Sequence, residues 1–209
     1  MKKSFFVTGI GTDVGKTVAS AVLCELLNAD YWKPIQSGSE TDSSSIKKLV
    51  SSPIIIHPEK YLLSQPLSPH AAAEMDHVKI EMTDFSLPEF ESTLITEGAG
   101  GLLVPFNNQG ITIADLIKNL KLEVILISRH YLGSINHTLL TIEALNTRQI
   151  PIKGIIFIGE ELARTEDIIE KISGIQTLFR IPIFQELNQK TISNFATSLK
   201  QDNTQLKFN

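Results

Sequence analysis

Val7-Thr8-Gly9-Ile10-Gly11-Thr12-Asp13-Val14-Gly15-Lys16-Thr17 is the stretch whose reading decides the fold. It follows a β-branched and aromatic run, residues 4–8, and opens a segment with helical spacing, residues 16–27. A glycine-rich turn between strand and helix aims backbone N–H groups and the positive end of the helix dipole at an anion. The glycines at 9, 11 and 15 let the chain turn tightly enough to do so. In that setting Gly15-Lys16-Thr17 reads as a phosphate-binding loop. Lys16 neutralises β- and γ-phosphate charge, and the Thr17 hydroxyl is a magnesium ligand. The spacing is unusual, because five residues separate Gly9 from Gly15 where the common pattern has four. A plain glycine-rich turn with an exposed lysine is the bland alternative, and the order strand, loop, Gly-Lys-Thr, helix argues against it.

Further apolar runs occur at residues 31–35, 94–96, 124–128, 154–158 and 181–184. They are apolar throughout rather than alternating, as expected of strands buried on both faces. Segments with helical spacing lie between them, at residues 111–120, 134–146, 161–173 and 191–200, with shorter helices expected at 43–50 and around 70–75. This alternation predicts an α/β fold, a mostly parallel sheet with helices on both faces, in one domain spanning 1–209. Residues 53–88 carry five prolines and read as a long covering connection.

The chain has 209 residues, 42% of them hydrophobic and 20% charged, with a net charge of −4. That balance argues against a nucleic-acid surface or an anionic membrane as partner. The single cysteine, Cys24, excludes an internal disulfide and falls in a helical pattern, where it reads as a small buried residue. No run suits a signal peptide or a membrane span, so the expected location is cytoplasmic. His57, His77 and His130 fall in expected loops and lack metal-binding spacing.

Three other segments bear on chemistry. Tyr31-Trp32-Lys33-Pro34-Ile35-Gln36-Ser37-Gly38 puts a lysine at the end of the second strand. Glu97-Gly98-Ala99-Gly100-Gly101, followed by Leu102-Leu103-Val104-Pro105, closes another. Leu132-Gly133-Ser134-Ile135-Asn136-His137 opens a later helix. With the phosphate loop and Ser68-Pro69-His70, their order resembles dethiobiotin synthetase over residues 5 to 182. The resemblance implies ATP-dependent ring closure of 7,8-diaminononanoate with CO2, giving dethiobiotin, ADP and phosphate. One substrate amine captures CO2 as a carbamate, ATP phosphorylates it, and the second amine closes the ring and expels phosphate.

By the same resemblance Lys33, Lys16 and Thr12 are the catalytic positions, and Ser37 contacts the diamine. Gly133, Ile135 and Asn136 contact its tail across a homodimer interface. Gly9, Asp13, Val14, Gly15, Thr17 and Val18 cradle the nucleotide, with Glu97, Gly98, Ala99, Gly100 and Pro182 beside it. Thr17, Glu97 and Asp42 are the expected magnesium ligands. Asp42 has a second reading, as the cap of the helix at 43–50. His70 and His137 are expected to serve packing.

Two departures stand out. The loop reads Gly9-Ile10-Gly11-Thr12 where the family usually has Gly-Thr-Asp-Thr, and the strand at 154–158 ends Ile158-Gly159-Glu160 where an Asn-Asp pair usually reads adenine. The expectation is weak discrimination among nucleoside triphosphates. Two other classes compete: a partitioning-type switch ATPase and the synthetase domain of an amidotransferase. The first expects a lysine early in the loop, and no lysine lies between Ser4 and Gly15. The second expects a glutaminase nucleophile, which Cys24 does not suit.

Overall fold

Strand β1 (Lys3–Gly9) shows why the sheet is covered on both sides. Phe5 and Val7 enter one apolar cluster, while Phe6 between them enters another. Strands β7 (Glu123–Arg129) and β8 (Ile152–Ile158) repeat the pattern: Ile125, Ile127, Ile156 and Ile158 face the first cluster, and Val124, Leu126, Ile155 and Phe157 the second. A strand apolar on both faces is stable only when both faces are covered. Helices α1 (Lys16–Leu27) and α7 (Gln189–Gln201) supply apolar side chains to the first cluster. Helices α4 (Ile113–Leu120), α5 (Ser134–Thr147) and α6 (Ala163–Ser173) supply them to the second. The computed structural model describes residues 2–208.

The remaining strands of the main sheet are β2 (Asp30–Trp32), β4 (Ile56–His57), β6 (Thr93–Gly101) and β9 (Thr177–Ile181). The order β4-β2-β6-β1-β7-β8-β9 has parallel pairings throughout. From β1 the chain runs through α1 toward β2 on one side, whereas from β7 it runs through α5 toward β8 on the other. The carboxyl ends of β1, β6 and β7 therefore flank a point where the connections diverge, the place where open α/β sheets bind ligands.

The expected strand at 31–35 is two strands. Lys33-Pro34 ends β2, and β3 (Ile35–Ser37) leaves the main sheet to pair with β5 (Tyr61–Leu63). Proline has no N–H to donate to a ladder, so the interruption follows from the sequence. The expected strand at 181–184 sits earlier, as β9, and stops just before Pro182 for the same reason. Residues 53–88 hold β4, β5 and α3 (Pro69–Met75), and His57 belongs to β4 rather than to a loop.

Gly154 is closely packed within β8. A Cβ there would lie 2.6 Å from Leu178 Cγ and 2.8 Å from the Gln176 carbonyl oxygen. The carbonyl cannot swing aside as a side chain can. Gly154→Ala should therefore lower stability by about 1–3 kcal/mol through overpacking, measured as a shift in the urea unfolding midpoint.

Candidate active site

The loop from Gly9 to Gly15 is shaped by close approach. A Cβ on Gly9 would sit 2.5 Å from Val14 Cγ2, so a larger residue would open the turn. Ile10 N donates to the Ile127 carbonyl (3.1 Å) and ties the loop's start to β7. Gly15 is the N-cap of α1 with φ +93°, a conformation glycine adopts without strain. No side chain caps α1, and its first turn holds no acidic residue. Its opening amides are thus available to an anion. Buried Lys16 crosses beneath the loop, its Nζ donating to the Gly11 carbonyl at 3.2 Å. Burial, and then the charge of Lys33, push the Lys16 ammonium below its ordinary value of 10.5, against a smaller opposing pull from Glu97 and Asp42.

Beside the loop lies a buried ion cluster. Lys33 is 4% exposed and Glu97 1%. Lys33 Nζ pairs closely with Asp42 and donates to Glu97 Oε1 and the Gly98 carbonyl, each at 3.2 Å. Burial alone would depress this ammonium, but the Glu97 and Asp42 carboxylates outweigh it and raise its value above 10.5. Glu97 is fixed from behind, its Oε2 accepting from Ser20 Oγ (2.7 Å) and Tyr31 OH (3.0 Å). The register Val7↔Glu97 sets that carboxylate beside the base of the phosphate loop.

Asp42 is not the helix cap. Thr41 caps α2 (Asp42–Leu49), accepting from Ser44 N, which leaves the Asp42 carboxylate free for Lys33 and Thr17. Gln36 Oε1 accepts from Asp42 N (3.0 Å) and fixes that turn. Ser20, Tyr31 and Gln36 escaped the sequence reading. Ser20 and Tyr31 face the cluster from elements whose apolar spacing marks them only as core, and Gln36 gave no signal beyond its place in the Lys33 segment.

Thr17 Oγ1 lies 3.0 Å from both Asp42 Oδ1 and Glu97 Oε1. One hydroxyl has one proton, so it satisfies only one of those carboxylates at a time. Three hard oxygens converging in this way fit a magnesium ion, which takes few protein ligands and keeps waters. Among the described residues no group of three or more His, Cys, Asp and Glu is arranged for a metal, so a site of this kind must include the hydroxyl.

These groups open into a cleft of about 880 Å³. Thr12, Asp13, Gly15, Lys16, Thr17 and Val18 line one part of it; Lys33, Ser37, Asp42, Glu97, Ala99 and Gly100 line another. Pro66, Leu67, Ser68 and Pro69 contribute from the covering segment. Gly9, Val14 and Gly98 form the loop and strand behind this lining. Gly133, Ile135, Asn136 and Pro182 are not brought to the cleft. Gly133 is the N-cap of α5, and Ile135 is partly exposed beside it. His130, expected in a loop, follows β7, stacks on Phe157 and is hydrogen-bonded through Nε2 to Glu166 Oε1 at 2.8 Å.

The sheet order, the glycine loop at its divergence point and the lysine–threonine pair opening α1 define a P-loop nucleotide-binding protein. A model of the AAA domain family matches residues 3–191. The chain is 52% identical to ATP-dependent dethiobiotin synthetase of Christiangramia forsetii, covering 90% of this chain and 92% of that protein. It is 46% identical to the enzyme of that name from Cytophaga hutchinsonii, covering 94% and 97%. It belongs to the ATP-dependent dethiobiotin synthetase family. Solved structures share the fold alone: a plasmid partition protein from Borrelia burgdorferi (TM-score 0.56, 15% identity, covering 100% and 98%) and a septum site-determining protein from Pyrococcus horikoshii (TM-score 0.55, 10% identity, covering 97% and 98%).

Lys33→Met should cost about 3 kcal/mol at neutral pH, because it leaves the buried Glu97 carboxylate without its cation. The sign of its pH dependence follows from the raised ammonium. Stability from Lys33 is fully present below pH 10.5 and is lost as pH rises through the higher folded value. Urea titrations at several alkaline pH values should show this loss in the wild type and a shallower one in the variant.

Proposed function

We propose that the chain closes the ureido ring of dethiobiotin from 7,8-diaminononanoate, CO2 and ATP. The observation that carries this reading is one cleft holding both a phosphate loop and a second buried ammonium, Lys33, with Ser37 and Ser68 beyond it. The volume suits two small ligands side by side. A pure nucleotide switch has no need of the second cation at that end.

Each residue then has a task. The loop amides and Lys16 hold the β- and γ-phosphates, and Thr12 lies on the side of the loop facing the second substrate. Lys33 offsets negative charge as the carbamate oxygen attacks phosphorus. Ser37 orients the diamine. Thr17, Asp42 and Glu97 hold magnesium, which when bound neutralises phosphate charge. Holding an amine, a carbamate and a phosphoryl group in line is most of the catalysis, since no side chain needs to form a bond.

The test is ADP release in the presence of diaminononanoate and bicarbonate. Release should need both, and Lys33→Ala should lower kcat at least a hundredfold. Diamine-independent turnover at the same rate would defeat the reading. Ile158, whose side-chain carbons lie 3.3–3.6 Å from where a Gly15 Cβ would sit, offers no polar group to a base. A missing base contact is worth about 1–3 kcal/mol, so GTP and CTP should support turnover within a hundredfold of ATP in the same assay.

The chain works as a homodimer in this reading. Leu103 and Leu140 are exposed on a shallow groove of about 400 Å³ beside α5, and Tyr131, Leu132 and Ile135 are exposed at the start of that helix, a grouping of apolar side chains that suits an interaction surface. A partner seated there brings its own Gly133, Ile135 and Asn136 toward a neighbouring cleft. Leu132, fully exposed, is the residue to change. Sedimentation should give a dimer for the wild type and a monomer for Leu132→Asp, with diamine KM raised more than ATP KM. No helix among the described residues is long and apolar enough to cross a membrane.

A further inference from the structure

Arg129 ends β7 and touches the phosphate loop. Its Nη1 donates to the Asp13 carbonyl at 3.3 Å. Side chains alternate along a strand, so Arg129 shares the face of Ile125 and Ile127, the face that carries α1 and the loop. Its strand partner is Ile158, whose methyls abut Gly15. Arg129 therefore approaches the loop from the β7–β8 side, whereas Lys33 stands at the end of β2 and pairs with Glu97 of β6 on the other side.

A guanidinium carries five N–H donors in a planar fork that suits phosphate, and Asp13 engages one of them. Among the described residues no carboxylate pairs with Arg129, and the side chain is exposed to solvent at the loop's rim. Asp13 adopts φ +57°, a left-handed conformation uncommon for aspartate, and its carbonyl is the atom that receives the arginine. The wall next to this point, Ile158 and Gly159, has no side-chain donor. A cation placed there, hydrogen-bonded to the loop and otherwise free, has the chemistry of a phosphate anchor.

We propose that Arg129 is a nucleotide-binding residue that contacts the polyphosphate from the β7–β8 side of the loop and adds affinity without reading the base. The contribution is a charge-assisted hydrogen bond, so it is the same for any base and weakens with salt.

The proposal depends on nucleotide binding at the loop and not on the diamine reaction, so binding of ADP, GDP, CDP and tripolyphosphate by calorimetry tests it separately. Arg129→Ala should weaken all four by a similar factor, about tenfold or more. Arg129→Gln keeps a donor for the Asp13 carbonyl but no charge, and should lose as much as the alanine variant. Arg129→Lys should recover most of the affinity. In turnover, the alanine variant should raise KM for ATP with kcat little changed. Wild-type affinity in Arg129→Gln would mean that the residue only braces the loop. Unchanged tripolyphosphate binding in Arg129→Ala would mean that it does not meet phosphate. Either result overturns the proposal, and thermal unfolding of each variant with and without ADP checks that the fold is intact.

Discussion

One ammonium inside the protein holds the site together. Lys33 leaves the end of β2, Asp42 opens α2 and Glu97 lies within β6, and the three meet with almost no solvent at Lys33 and Glu97. Burying such charges is costly unless each finds partners, and here every member has several. Glu97 alone is touched by Lys33, Thr17, Ser20 and Tyr31. The cluster thereby fixes the phosphate loop's helix against the strand beside it. Geometry at the loop is inherited from this lock as much as from the glycines.

The alternating architecture was legible because parallel strands covered on both faces have no polar side to disguise them. The runs at 124–128 and 154–158 fall inside β7 and β8, and the helix beginning at Lys16 is α1. What misled was proline. Residues 31–35 read as one apolar run, yet Pro34 cannot extend a ladder and the chain leaves the sheet there. Pro182 acts likewise at the end of β9. The short strands at 56–57 and 61–63 carry too few residues for any periodicity, and their existence depends on neighbours far along the chain.

At the site, residues bound to a motif were visible and residues bound only to a place were not. Lys16, Thr17, Lys33, Asp42 and Glu97 sit in readable segments and meet in space. Asp42 had two readings, and Thr41 removes the capping one by taking the cap itself. Ser20 and Tyr31 lie within an apolar helix and strand, where a hydroxyl is easily passed over until its carboxylate partner arrives from residue 97. Arg129 reads in sequence as a charged strand end, and only the closeness of β7 to β1 gives it a loop to touch.

The uncapped start of α1 has a thermodynamic corollary. Four amides at the head of a helix need acceptors, and here no side chain supplies them, so that role passes to whatever anion arrives. A ligand that completes a helix becomes part of the folded structure. Resistance to heat and to proteases should then climb with the logarithm of its concentration, without any movement of the strands beneath.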